Sequence, residues 1–348
     1  MGAGQISDRS GRPRIANHLT KARPMRQTRL FAAAIAFMAS TGCSGLPPMQ
    51  AQAALQVTQS DELTVRSYAS QIKDVDSVNT HWFDTDAGIV VIDAQRILPE
   101  AEQAIAHLRA STDQPVVAIF ITHPHTDHYG GLPVWKRAFP EAVVYASEVT
   151  LRSIREDGRG FNAARRERHG ERFATQQQLT NATAGARRLL DGQEIAFGKV
   201  TVRANHLAPS ESEGTTVISI PSERIAFVGD LINVGVPAVP FENLAAWIEQ
   251  LEELSSAYGN YAIYQGHGAA PVTEEQIAVQ RRFLTDLASA VSSRIDDQRL
   301  SRQEAAEVVF ELEAAWPYLS GVAGNTRREI FGAAAHMVAT QMGAEIEE

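Results

Sequence analysis

The 348 residues are 44% hydrophobic and 21% charged, which excludes a largely disordered chain and leaves room for one large domain or two smaller ones. With 32 Lys+Arg against 41 Asp+Glu the formal net charge is −9, a balance that disfavours nucleic acid as a partner. The single cysteine, Cys43, excludes a disulfide within the chain and leaves metal chemistry to His, Asp and Glu.

Residues 25–45, MRQTRLFAAAIAFMASTGCSG, have a basic start at Arg26 and Arg29 and an apolar run over 30–38. This reads as a secretory signal, because a bilayer span needs about 20 apolar residues. Two processing sites compete. ASTGC resembles a bacterial lipoprotein box ending at Cys43, although Ser40 stands where Leu is usual, whereas AQA at 51–53 fits ordinary signal peptidase. Either route predicts export to a bacterial envelope, periplasmic or lipid-anchored, with the membrane touched only through a lipid on Cys43. Removing residues 1–53 takes away seven basic residues and one acidic, leaving 25 against 40 and a net charge of −15.

VNTHWFDTDAGIVVIDAQ (78–95) reads as two β-runs around a turn, and PEAEQAIAHLRA (99–110) as a helix with Pro at its start. The apolar run VVAIFI (116–121) is a buried strand. LPVWKRAF and EVTLRSIRE read as helices and AVVYAS as a strand, so strand and helix alternate through the first half. REDGRGFNAARRERHGER (155–172), dense in mixed charge, suits a solvated helix with His169 exposed. EIAF, KVTVRANH, TTVISI and RIAFVGD form a β-rich stretch around 193–229; the helix ENLAAWIEQLEEL and a final strand, AIYQGHG, follow. From residue 273 on the pattern is helical, in segments near 273–294, 301–315 and 326–342, with Phe283, Phe310, Trp316, Phe331 and Met337 read as core. Trp82 is read as core too. The expected organisation is a leader over 1–53, a catalytic domain over 54–272 and a helical extension over 273–348.

Directly behind VVAIFI comes THPHTDHYGG, which puts His123, His125, Asp127 and His128 on one loop. A histidine pair two residues apart can chelate one ion, and the Asp-His pair after it can turn toward a second ion nearby. Four metal-competent side chains at this spacing make a specific signal.

HPHTDH, with Gly130 and Gly131 close behind, resembles the HxHxDH signature of the metallo-β-lactamase superfamily, and the resemblance covers residues 64–272. It implies an α/β fold, an αββα sandwich with two metal ions at one edge of the central sheets, here carrying a C-terminal helical appendage. It also implies further ligands. Asp230, in RIAFVGDLI, matches the carboxylate bridging the two ions, and His267, in YQGHG, matches the last histidine of the second site. Where relatives carry a histidine in an HT step this chain has none. A gapless match places Glu211 there, as in the alkylsulfatase branch, and His206 is the rival.

On this reading His123, His125 and Glu211 hold the first ion, Asp127, His128 and His267 the second, and Asp230 joins them. The implied cofactors are two divalent ions, Zn²⁺ first, with Mn²⁺ or iron as the other candidates; a carboxylate in place of imidazole favours the harder metals. The implied enzyme is a metal-dependent hydrolase of a small-molecule substrate, an ester, lactone, lactam or sulfate ester. A water shared by the ions is brought to a pKa near about 7 and supplies hydroxide, with Asp127 as its catalytic partner. Two rival readings stay open: an iron-dependent oxidoreductase of the same fold, and a catalytically silent metal-binding protein.

Overall fold

The computed structural model describes residues 55–59, 63–70, 78–319 and 325–347; the expected leader, with Cys43 and both processing sites, lies outside the described residues. Seven strands make the first sheet, in chain order across it: β1 (Leu55–Gln59), β2 (Thr64–Ala69), β3 (Asn79–Thr85), β4 (Gly88–Ile92), β5 (Val116–Phe120), β6 (Val143–Ala146) and β7 (Arg187–Arg188). β1 to β4 run antiparallel and β4 to β7 parallel. The parallel part needs crossovers, which α1 (Leu98–Ser111), α2 (Thr126–Tyr129), α3 (Leu132–Ala138), α4 (Glu148–Glu156), α5 (Phe161–His169) and α6 (Gln176–Ala182) supply.

The second sheet has the order β12-β11-β10-β9-β8, from β8 (Gln193–Phe197), β9 (Val200–His206), β10 (Thr216–Ile220), β11 (Ile225–Gly229) and β12 (Ala262–Gln265). Its β11–α7–β12 unit, with α7 at Leu244–Tyr258, is parallel and the rest antiparallel.

Strand periodicity explains why the sheets stack. In β4, Val90 and Ile92 enter the core between the sheets while Ile89 and Val91 enter the core under the helices of the first half; in β11, Ile225 and Phe227 face inward while Ala226 and Val228 face the later helices. A strand buried on both faces reads as a continuous apolar run, as GIVVI and IAFVG do. The result is helix, sheet, sheet, helix: an αββα sandwich.

The extension is α8 (Glu274–Ser292), α9 (Arg302–Ala315) and α10 (Arg327–Gln341). Each begins with a reciprocal capping box, Thr273 with Gln276, Ser301 with Glu304 and Thr326 with Glu329. Phe283, Leu287, Leu312 and Phe331 share one core with Val228, Leu231 and Trp247, so the extension completes the outer face of the second sheet. Two features were not foreseen: the β1–β2 pair, and a short parallel pairing of β13 (Arg299–Leu300) with β14 (Glu345–Ile346) inside the extension. Trp82 and Trp316 are core residues, as expected, whereas Phe310 is 71% exposed. His169, expected to be exposed, is partly buried, and burial with the nearby Arg96 and Arg168 pushes its pKa down to about 4.

Candidate metal centre

β5 delivers the chain at its carboxyl end, where parallel strands of open α/β sheets place their ligand sites. His123 and His125 lie on the loop leaving it, and Asp127 and His128 in the single turn of α2. That turn passes close beneath the end of β4: a Cβ on Gly130 would lie 1.9 Å from the Arg96 carbonyl oxygen, so only glycine fits. Asp230 follows β11 and His267 follows β12. Glu211 comes from the loop between β9 and β10, and its side chain is 3% exposed.

All seven residues converge. His123, His125, Glu211 and Asp230 offer one set of donor atoms within 4.8 Å of one another; Asp127, His128, Asp230 and His267 offer a second, and Asp230 belongs to both. His125 Nδ1 lies 3.2 Å from Glu211 Oε1, His128 Nε2 3.2 Å from Asp230 Oδ1, and His267 Nε2 3.1 Å from Asp230 Oδ2 and 3.2 Å from Asp127 Oδ2. A tetrahedral ion with bonds of about 2.0–2.1 Å spaces its ligands roughly 3.3–3.4 Å apart, so the donor set fits such ions. Four of its buried atoms, His123 Nε2, His128 Nε2, Glu211 Oε2 and Asp230 Oδ1, have no hydrogen-bond partner, which a buried polar atom rarely tolerates without a ligand.

His206 is elsewhere. Its Nδ1 meets Thr216 Oγ1 at 3.0 Å and its Nε2 the Leu189 carbonyl at 3.1 Å, outside both donor sets. Glu211→Gln is therefore expected to lose one metal equivalent while His206→Ala keeps two, measured by elemental analysis after dialysis; the opposite pattern would exchange their roles.

The residues that aim these donors were missed in the sequence. Thr122 Oγ–H donates to Asp93 Oδ2 at 2.8 Å, so Thr122 Oγ1 accepts from His123 Nδ1–H at 3.0 Å, while Asp93 Oδ2 also accepts from His128 Nδ1–H at 2.8 Å. Both imidazoles thereby present the Nε2 lone pair to the site. Asp93 reaches this position with φ at +61°, a left-handed conformation uncommon outside glycine. Its signal was a lone carboxylate closing the apolar run IVVID.

Asn79 and His81 on β3 hold the turn bearing His267. Asn79 Nδ2 donates to the carbonyls of Gln265 at 3.0 Å and Gly268 at 2.8 Å, and His81 Nε2–H donates to Gln265 O at 3.0 Å. Burial lowers the His81 pKa to about 4, so it stays neutral.

Electrostatics match the chemistry. Burial pushes the Asp127 carboxyl up, but the Arg96 guanidinium 3.1 Å away, with His128 and His267, outweighs it and holds the group well below the usual carboxylate range. Burial lowers His267, yet Asp230 and Asp127 raise it to about 10. Without a cation the carboxylates thus draw positive charge onto His128 and His267, whereas burial and the neighbouring His128 keep His123 neutral. Beside Glu211, Arg159 bridges Glu213 and Glu242 at a charged cleft of about 370 Å³.

An αββα sandwich with seven His, Asp and Glu donors at one sheet edge defines a metal-binding enzyme class. The chain belongs to the metallo-beta-lactamase superfamily, whose model matches residues 74–267. An atrochrysone carboxyl ACP thioesterase of Aspergillus novofumigatus is 25% identical over 231 residues, 66% of this chain and 57% of that one. A probable metallo-hydrolase of Streptococcus pyogenes serotype M6 is 25% identical over 199 residues, 55% of this chain and 78% of that one. The chain spans about half the length of the first curated relatives it matches, 57% and 50%. The stereoselective inverting sec-alkylsulfatase Pisa1 from Pseudomonas sp. superposes with a TM-score of 0.57 at 17% identity, over 80% of this chain and 48% of that one, a likeness of fold. The family and the curated relatives together support a hydrolytic role in general and a divalent-metal centre.

Proposed function

We propose that this chain is a two-metal hydrolase of carboxylic esters or thioesters. The observation carrying this reading is the pair of donor sets sharing Asp230; the thioesterase names among its relatives favour an acyl substrate over a sulfate ester or lactam. His123, His125 and Glu211 would hold one divalent ion, Asp127, His128 and His267 the other, with Asp230 common to both. Ions bound there supply Lewis acidity toward a carbonyl oxygen and bring a water toward neutrality in pKa. Asp93 and Thr122 fix the tautomers of His123 and His128, and Arg96 keeps Asp127 ionised, so that its carboxylate would orient the attacking water. The water oxygen bonds to the carbonyl carbon, the C–O or C–S bond breaks, and the leaving alcohol or thiol carries away a proton.

A hydrolysis screen on metal-quantified protein tests this. Turnover of p-nitrophenyl esters or acyl thioesters with two equivalents of zinc or manganese is expected. Iron at stoichiometric amounts without any turnover would replace hydrolysis by oxidative chemistry, and bound metal with no turnover of esters, thioesters, lactones, lactams or sulfate esters would make the chain a silent metal binder.

Export is proposed on the leader pattern of residues 25–53, with small molecules rather than nucleic acid as partners on the acidic balance. Mass spectrometry of the mature N-terminus separates a lipid-modified Cys43 from a start at Ala54, and full-length chain found only in the cytoplasm would overturn export. Among the described residues no helix is long and apolar enough to cross a membrane.

A further inference from the structure

The stretch NVGVPAVPF, residues 233–241, follows Asp230 and carries no charge. It starts beside one of the more accessible metal-site histidines and ends on the other. The Val234 N–H donates to Gln265 Oε1 at 3.1 Å, on the strand that leads to His267. At the far end the Phe241 ring meets the His125 ring edge-on at 5.0 Å, and the Phe241 N–H donates to the Glu211 carbonyl at 3.2 Å. His125 and His267 are 14% and 15% exposed, against none for His123 and His128, so a substrate reaches the centre past these two.

The stretch is held in place before any ligand arrives. Gln280 of α8 accepts from the Asn233 N–H and donates to the Leu231 carbonyl; Gln341 of α10 accepts from the Leu244 N–H and donates to the Pro240 carbonyl. Val234 and Val239 pack into the core of the extension, whereas Phe241 belongs to no core cluster and is half-buried. The space behind, lined by Val236, Phe283 and Trp316, is about 20 Å³, room for roughly one water-sized group. That space is too small for an acyl chain, so the apolar surface which this stretch sets beside the metal site is the half-buried Phe241 ring against His125. The next residue in the chain, Glu242, lines the charged cleft.

We propose that Phe241 is a specificity-determining residue: its ring, set against His125 by the helical extension, receives the apolar acyl group of the substrate and selects medium-length chains over acetyl. This rests on the acyl-hydrolase reading above and deepens it. A preset aromatic wall adds affinity because its ordering is already complete, and each methylene buried against it adds selectivity.

The test compares wild type, Phe241→Ala and Phe241→Leu in the metal-loaded full chain, with metal content counted in each. For p-nitrophenyl octanoate over acetate, the ratio of kcat/KM is expected to fall about tenfold in Phe241→Ala, chiefly through KM, and to recover in Phe241→Leu. Calorimetric binding of free octanoate and acetate asks the same question without turnover: octanoate is expected to bind more tightly to wild type, and the difference to collapse in Phe241→Ala. If no ester or thioester is hydrolysed yet this preference is present and Phe241-dependent, the reaction falls and the wall stands. A chain-length preference unchanged by Phe241→Ala, equal losses for both chain lengths, or no preference in wild type overturns it.

Discussion

Replacing Asp230 with Asn is expected to strip both ions, where each peripheral ligand removed strips one. Asp230 Oδ1 lies 3.2 Å from His128 Nε2 and Oδ2 3.1 Å from His267 Nε2 and 3.8 Å from His123 Nε2. One carboxylate thus closes both donor sets. Asn keeps the volume and one oxygen but removes the charge and turns the second donor atom into an N–H, which cannot ligate a cation. The same charge faces three imidazoles, two of them fully buried, and removing one partner of a largely buried ionic network is costly. Metal content should fall from two equivalents to less than one, and activity by more than the roughly 10- to 100-fold typical of outer-sphere changes. His267→Ala and Glu211→Gln should each retain about one equivalent. Two equivalents retained in Asp230→Asn would show that Asp230 is not shared.

The parts legible in the sequence were those with a local pattern. VVAIFI followed by HPHTDH joins a buried strand to four donors without needing any distant contact, and the helices of the extension are marked by apolar periodicity and S/T-x-x-E/Q starts. The metal centre's remaining order is set by contacts far apart in the chain. Glu211 and His206 are five residues apart and both competent as ligands; only the pairing of β9 with β10, which aligns His206 with Thr216, turns one away and leaves the other facing His125. Asp93, Asn79 and Arg96 act across strands or across the two sheets, and no spacing in the sequence links Asn79 to a turn 186 residues later. β1 and β2 were overlooked because polar residues interrupt the apolar pattern of both, in β1 on the partly exposed sheet edge and in β2 inside the sheet.

Gly266 carries the second large effect, because space rather than chemistry fixes it. It follows β12 and immediately precedes His267, and its N–H donates to the Gly229 carbonyl at 2.8 Å while its own carbonyl accepts from the Asn79 N–H at 2.7 Å. Both backbone groups are thus tied to neighbouring strands, so the residue cannot swing outward. A Cβ there would sit 2.1 Å from Asp230 Oδ1 and 2.7 Å from His128 Cε1, inside two proposed ligands that Asp93 and the imidazole cluster already hold. Relief requires moving either the turn carrying His267 or the carboxylate shared by both sites, and overpacking of this kind costs about 3 kcal/mol. For a chain of this size that is a fall in Tm of roughly 5 °C. Gly266→Ala is therefore expected to lower metal content below two equivalents, reduce activity and lower Tm, although alanine is the smallest side chain that can be added. A Gly266→Ala protein with wild-type metal content and Tm would mean that the turn between β12 and His267 is free to give way, and that Asn79 and His81 do not clamp it.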